Sequence, residues 1–115
     1  VVTGILQQDK TAVDLLRATF PGGSITGAPK IKAMEIIHEL EVAARGTYCG
    51  TIAWLGFDGS MDSSIVIRTI VVNGQKAIVQ TGGGIVADSN PTSEYSESLV
   101  KAQPLLETLE SSKML

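Results

Sequence analysis

Cysteine is nearly missing from this 115-residue chain: Cys49 stands alone, so no disulfide can form within it. That usage fits a reducing cytoplasm. With no partner in sequence, Cys49 reads as a strand residue. Histidine is equally scarce. His38 is the only one, set in EIIHELE. The second histidine of H-E-x-x-H is lacking, which excludes a zinc-protease site on ligand count. His38 reads as a helix-surface residue. Positive charge is not in excess: nine Lys and Arg against twelve Asp and Glu leave a net charge of −3. A general nucleic-acid-binding surface is therefore not expected. No apolar run is long enough for a membrane span, and the first residues lack a signal-peptide pattern. Internal repeats and low-complexity segments are absent too. With 43% hydrophobic and 18% charged residues, the composition is globular.

Glycine is plentiful, and its placement carries information. Pro21–Lys30 reads PGGSITGAPK, with three glycines and two prolines in ten residues. Such glycines allow unusual backbone angles and close approach to the main chain. Pro29 suits the first turn of a helix, and Thr26 or Ser24 can cap it. A helix start of this kind can face an anion, so the loop is expected to hold something negative. Gly22 to Gly27 has P-loop spacing, but Ala28 and Pro29 follow where Lys and Ser or Thr are required.

The apolar pattern predicts a helix over Asp9–Phe20 and another over Lys30–Glu41, broken at Arg45–Gly46. Strands are expected over Tyr48–Phe57, Met61–Val72 and Gln75–Thr81. Asp58–Gly59 and Asn73–Gly74 mark the turns between them. Asn90 caps a last helix that begins at Pro91. Tyr95, Leu99, Ala102, Leu106 and Leu109 share one face of it, with Glu94, Ser98, Lys101 and Leu105 on the neighbouring one. The expected class is α+β, in the order α-α-β-β-β-α with an antiparallel meander.

Several residues could carry chemistry. Glu94 and Glu97 lie three apart on the last helix, so their carboxylates can converge. Hard oxygens suit Mg²⁺. Taken alone, the pair reads as a solvated acidic first turn that suits the helix dipole, in preference to a metal site. Lys101 is one turn beyond Glu97, in reach of a surface ion pair. Arg68 interrupts an apolar strand, and its planar fork suits a carboxylate. Gly82, Gly83 and Gly84 follow a strand and can expose amides as an anion-binding nest. Gly82, Gly84 and Ala87 also satisfy G-x-G-x-x-A. The delayed helix and the hairpins before it argue against a dinucleotide site.

PGGSITGAPK, IVIRT at Ile65–Thr69, QTGGGIVADS at Gln80–Ser89 and SEYSESLVKA at Ser93–Ala102 occur in order. Together they resemble the chorismate-utilising enzymes, over nearly the whole chain. With AMEIIHELE at Ala33–Glu41, the pattern looks closest to the aminodeoxychorismate synthase component I branch. The resemblance implies Mg²⁺ as cofactor, with Glu97 as a direct ligand and Glu94 as a ligand or water-mediated partner. It implies that Arg68 and Tyr48 hold the enolpyruvyl carboxylate of chorismate. It brings Ser24 and the amides of Gly82, Gly83 and Gly84 to the substrate, and Lys101 near the carboxylates. Asp62, in GSMDSS, matches a structural turn. Lys30 lies outside the family's nucleophile motif.

The family domain is longer, so residues 1–115 are expected to be its C-terminal portion. The nucleophilic lysine and catalytic histidine are expected upstream, and no catalytic residue is assigned here. The implied reaction of the parent protein is amination of chorismate to 4-amino-4-deoxychorismate, for 4-aminobenzoate and folate synthesis. A glutamine amidotransferase subunit or fused domain would supply ammonia in the cytoplasm. The isolated chain is expected to be inactive and prone to self-association. The alternatives are an anthranilate synthase component I fragment, which eliminates pyruvate, and a non-catalytic subdomain with an assembly role.

Overall fold

A reciprocal cap starts the first helix. The Thr11 hydroxyl accepts from the Asp14 amide at 3.3 Å, and the Asp14 carboxylate accepts from the Thr11 amide at 2.9 Å. The Thr11 amide and the Thr11 hydroxyl, which donates to the same carboxylate at 2.7 Å, hold the Asp14 carboxyl below its ordinary range. Helix α1 (Ala12–Thr19) follows. The computed structural model describes residues 2–112, in two units, Val1–Ile65 and Val66–Leu115.

In the first unit the glycine-rich loop coils into a short helix, α2 (Gly23–Thr26), before α3 (Lys30–Leu40). Neither Ser24 nor Thr26 caps α3; Pro29 takes the cap position with no side-chain bond. The Lys30 ammonium instead donates to the Pro21 carbonyl at 2.6 Å, the Gly22 carbonyl at 3.2 Å and the Thr26 hydroxyl at 3.2 Å. The loop expected to hold an anion is thus closed around a cation of its own chain. Gly27 at φ +98° turns the chain between the helices, an angle glycine adopts freely.

Tyr48 and Cys49, expected on a strand, stand in the turn before it. The Gly50 amide donates to the Thr47 carbonyl at 2.8 Å, and Cys49 takes φ +64°, which no strand continues. Strand β1 (Thr51–Leu55) pairs antiparallel with β2 (Met61–Ile65), Leu55 opposite Met61 and Thr51 opposite Ile65. The expected Asp58–Gly59 turn is present. The Ser60 hydroxyl and amide donate to the Asp58 carboxylate at 2.6 and 3.0 Å, which lowers its pKa. Asp62 lies within β2, opposite Trp54.

The strand expected over Met61–Val72 is two strands. Arg68, at φ +50°, is in the left-handed region that breaks a ladder. Two residues before it, Val66 is 4% exposed, the one buried hydrophobic among the described residues. In the second unit β3 (Ile70–Asn73) pairs antiparallel with β4 (Lys76–Val79). Asn73 is still paired, opposite Lys76, so the turn residues are Gly74 and Gln75. Gly74 has φ +59° at the first turn position, the mark of a type II′ hairpin. The turn is shifted one residue from Asn73–Gly74. The α+β class holds, with the meander divided into two hairpins.

Helix α4 (Pro91–Ser112) closes the second unit, and among the described residues no helix is long and apolar enough to cross a membrane. Its start is as expected: the Asn90 side-chain oxygen accepts from the Thr92 and Ser93 amides at 3.1 Å each. The half-buried side, however, is Glu94, Ser98, Lys101, Ala102, Leu105 and Leu109. Tyr95, Leu99 and Leu106 remain 66%, 53% and 48% exposed. The side turned to the rest of this unit is therefore polar in its first turns, at Glu94, Ser98 and Lys101, and apolar beyond them, at Ala102, Leu105 and Leu109. Thr81, just past β4, fastens it there by donating to the Ser98 carbonyl at 3.0 Å.

The cap at Asn90 sets where α4 begins. Asn90→Ala is expected to destabilise the second unit by about 1 kcal/mol. Urea unfolding together with faster hydrogen exchange at the Thr92 and Ser93 amides checks this. Unchanged exchange at both would contradict it.

Candidate functional site

The second unit brings a glycine loop against the first turns of a helix. Gly82, Gly83 and Gly84 follow β4 after Gln80 and Thr81. The Gly82 carbonyl accepts from the Lys101 ammonium at 3.2 Å. Gly83 faces the carboxylates: a Cβ there would lie 2.8 Å from Glu94 Oε2 and 3.8 Å from Glu97 Oε1. Any side chain at 83 would push into the first of these oxygens. Glu97 Oε1 also pairs with Lys101 at 2.5 Å, one helical turn away. Glu97 is exposed and Lys101 half-buried, so the pair is partly screened by solvent and its effect on stability is small.

The two carboxylates differ. Glu97 is exposed and already neighbours a cation. Glu94 is half-buried. Its Oε1 accepts from the Ser89 hydroxyl at 2.6 Å, while its Oε2 is buried with no partner. An orphaned carboxylate oxygen is costly unless something satisfies it. A hard divalent cation would do so, and the donor set is of the right kind. Among the described residues no third His, Cys, Asp or Glu joins the pair. That suits Mg²⁺, which keeps several waters and is commonly held by one or two carboxylates plus substrate. Glu94 and Glu97 are thus residues that could hold Mg²⁺, Glu94 through its unpartnered oxygen. Sequence reasoning missed Ser89 and Thr81. Their roles depend on a turn and on helix docking, which no residue spacing announces.

The remaining candidates stand as follows. Arg68 is exposed in the link between β2 and β3, held at its left-handed angle. Ser24 is exposed on α2 in the first unit. Tyr48, also in the first unit, is half-buried under the Arg45 guanidinium, 5.8 Å from its ring centroid. Two Arg45 nitrogens grip the Glu41 carboxylate, Nη2 at 2.5 Å and Nε at 2.8 Å. The Arg45 fork holds Glu41 below the ordinary carboxylate range, and Glu41 raises Arg45. Burial pushes the Tyr48 phenol up, with the Cys49 thiol adding to it and Arg45 opposing. Tyr48 is therefore a neutral hydrogen-bond donor at physiological pH. Glu94, Glu97, Lys101, Gly82 and Gly83 are the predicted residues that come together.

A cationic lysine, two carboxylates and a bare backbone can together hold an anionic ligand through a shared metal. The family described as chorismate binding enzyme matches residues 1–107, and the chain belongs to that family. It is 50% identical over 114 residues to anthranilate synthase component 1 of Geobacillus stearothermophilus, covering 99% of this chain and 22% of that protein. Against aminodeoxychorismate synthase component 1 of Salmonella typhimurium it is 52% identical over 109 residues, covering 95% and 24%. The protein of that same name from Bacillus subtilis is 50% identical over 112 residues, covering 97% and 24%. The chain spans less than a quarter of the length of these relatives. Both synthase names occur at the same level of identity.

Tyr48 gives a pH test. Its folded pKa is raised, so the fold favours the neutral phenol. That contribution is fully present below the unfolded value of about 10 and is lost as pH rises through the folded value. In a Tyr95→Phe chain, ultraviolet titration of the remaining tyrosine is expected to give a midpoint above about 10. A midpoint at or below that value would contradict the burial argument.

Proposed function

We propose that this chain is part of a chorismate-aminating synthase and carries half of its substrate site. The supporting observation is the convergence of Glu94, Glu97 and Lys101 on the Gly82–Gly83 backbone within one unit. Glu94 and Glu97 would hold Mg²⁺, which would bind the ring carboxylate of chorismate and offset negative charge there. Lys101 adds a cation beside those carboxylates. Arg68 offers its planar fork to the enolpyruvyl carboxylate. The amides of Gly82, Gly83 and Gly84 contribute further contacts to the substrate.

Of the aminating activities we favour that of aminodeoxychorismate synthase component I, on PGGSITGAPK and AMEIIHELE. The product would be 4-amino-4-deoxychorismate, on the route to 4-aminobenzoate and folate in the cytoplasm. Ammonia would come from a glutamine amidotransferase subunit or fused domain. Anthranilate synthase component 1 is the second reading, favoured by relatives of that name at equal identity. The nucleophile and the catalytic histidine would belong to the rest of the synthase. The 115-residue chain alone would therefore bind chorismate without turning it over. The rest of the synthase would also cover the apolar residues exposed on β1.

Chorismate titrated into the chain, with and without Mg²⁺, tests the site. Wild type is expected to bind in a Mg²⁺-dependent way. Gly83→Ala is expected to weaken that binding by about tenfold or more, because the new methyl displaces Glu94 Oε2. Binding that ignores Mg²⁺, or that Gly83→Ala leaves intact, would overturn the reading. For the whole synthase, 4-amino-4-deoxychorismate without pyruvate supports the favoured activity. Anthranilate with pyruvate supports the second.

A further inference from the structure

We propose that Ser89 is a positioning residue for the metal site: it occupies one oxygen of Glu94 so that the other stays turned toward Gly83 for a divalent cation. This rests on the reading of Glu94 as a metal ligand.

The hydroxyl of Ser89 sits where two constraints meet. Val86 to Ser89 form a tight turn, closed by the Ser89 amide donating to the Val86 carbonyl at 3.0 Å. Within it, the Val86 amide donates to Ser89 Oγ at 3.0 Å. A hydroxyl has a single proton to give. With its oxygen already accepting from the turn, that proton goes to Glu94 Oε1 at 2.6 Å. The distance is that of a strong hydrogen bond to a charged acceptor.

Glutamate has a long side chain with several rotatable bonds. Anchoring Oε1 on Ser89 fixes the carboxylate and leaves Oε2 facing Gly83, buried and unpartnered. Lys101, the cation of this site, pairs with Glu97 instead. Glu94 therefore keeps a free oxygen. Outer partners that orient a ligand in this way commonly change metal affinity by about 10- to 100-fold when removed. The turn at Val86–Ser89 thus transmits its geometry through one hydroxyl to the metal-facing oxygen.

The test is a titration of the whole chain with Mn²⁺ alone, a hard, oxygen-seeking stand-in for Mg²⁺, with free Mn²⁺ read by electron paramagnetic resonance. Ser89→Ala is expected to raise the dissociation constant about tenfold or more. Ser89→Thr, which keeps the hydroxyl, is expected to restore most of the affinity. Amide spectra of both variants should match wild type outside residues 83–97. Wild-type affinity in Ser89→Ala would overturn the proposal. So would a collapsed amide spectrum in Ser89→Ala, or no rescue by a folded Ser89→Thr, since either marks a purely structural role. A wild-type chain that takes up no Mn²⁺ defeats the metal reading itself, and the Ser89 proposal with it.

Discussion

A main-chain loop can lie against two carboxylates here only because Gly83 has no side chain. A Cβ at that point would meet Glu94 Oε2 at 2.8 Å, closer than ordinary contact allows. The rest of the site depends on this approach. Lys101 reaches the Gly82 carbonyl, and Thr81 reaches the Ser98 carbonyl, because loop and helix run side by side. The glycines also give the loop no apolar side chains to bury. Contact between loop and helix is therefore polar, and Glu94, Ser98 and Lys101 are turned inward. Tyr95, Leu99 and Leu106 are left on the outside as a consequence.

The first unit is organised around a different polar device. Lys30 draws two carbonyls and a hydroxyl of the 21–27 loop around its ammonium, which ties the loop to the first turn of α3. A lysine fully used in this way is a structural strut, not a free nucleophile. Nearby in sequence, Arg45 is gripped by Glu41 and covers Tyr48. Apolar packing contributes less. Strand β1 carries apolar residues on both faces, as strands covered on both sides do, yet Ile52 and Trp54 are 62% and 57% exposed.

What could be read in the sequence was what local chemistry decides. Asn90–Pro91 marks a helix start wherever it occurs, because the cap and the proline act within one turn. The three-residue spacing of Glu94 and Glu97 likewise put both carboxylates on neighbouring positions of that helix. Three features escaped. The β-branched run from Ile65 to Ile70 looks like one strand, and only the backbone angle at Arg68 shows that it is broken. Asn73–Gly74 pointed to the right hairpin, but cross-strand pairing carried Asn73 into the ladder and moved the turn on by one. The inward side of α4 could not be read, because hydrogen bonds that tie the helix to Thr81 and Gly82, both distant in sequence, set it. Family motifs supplied the identities of the site residues, and the structure added Ser89.

The central claim is a cation site between the Gly82–Gly84 loop and the start of α4. Its most direct test is a map of amide line broadening in the isotope-labelled chain on adding substoichiometric Mn²⁺. The account predicts that the signals of Gly82, Gly83, Gly84, Glu94 and Glu97 disappear first. Uniform broadening, or broadening centred on other carboxylates such as Asp9 or Glu110, would contradict it.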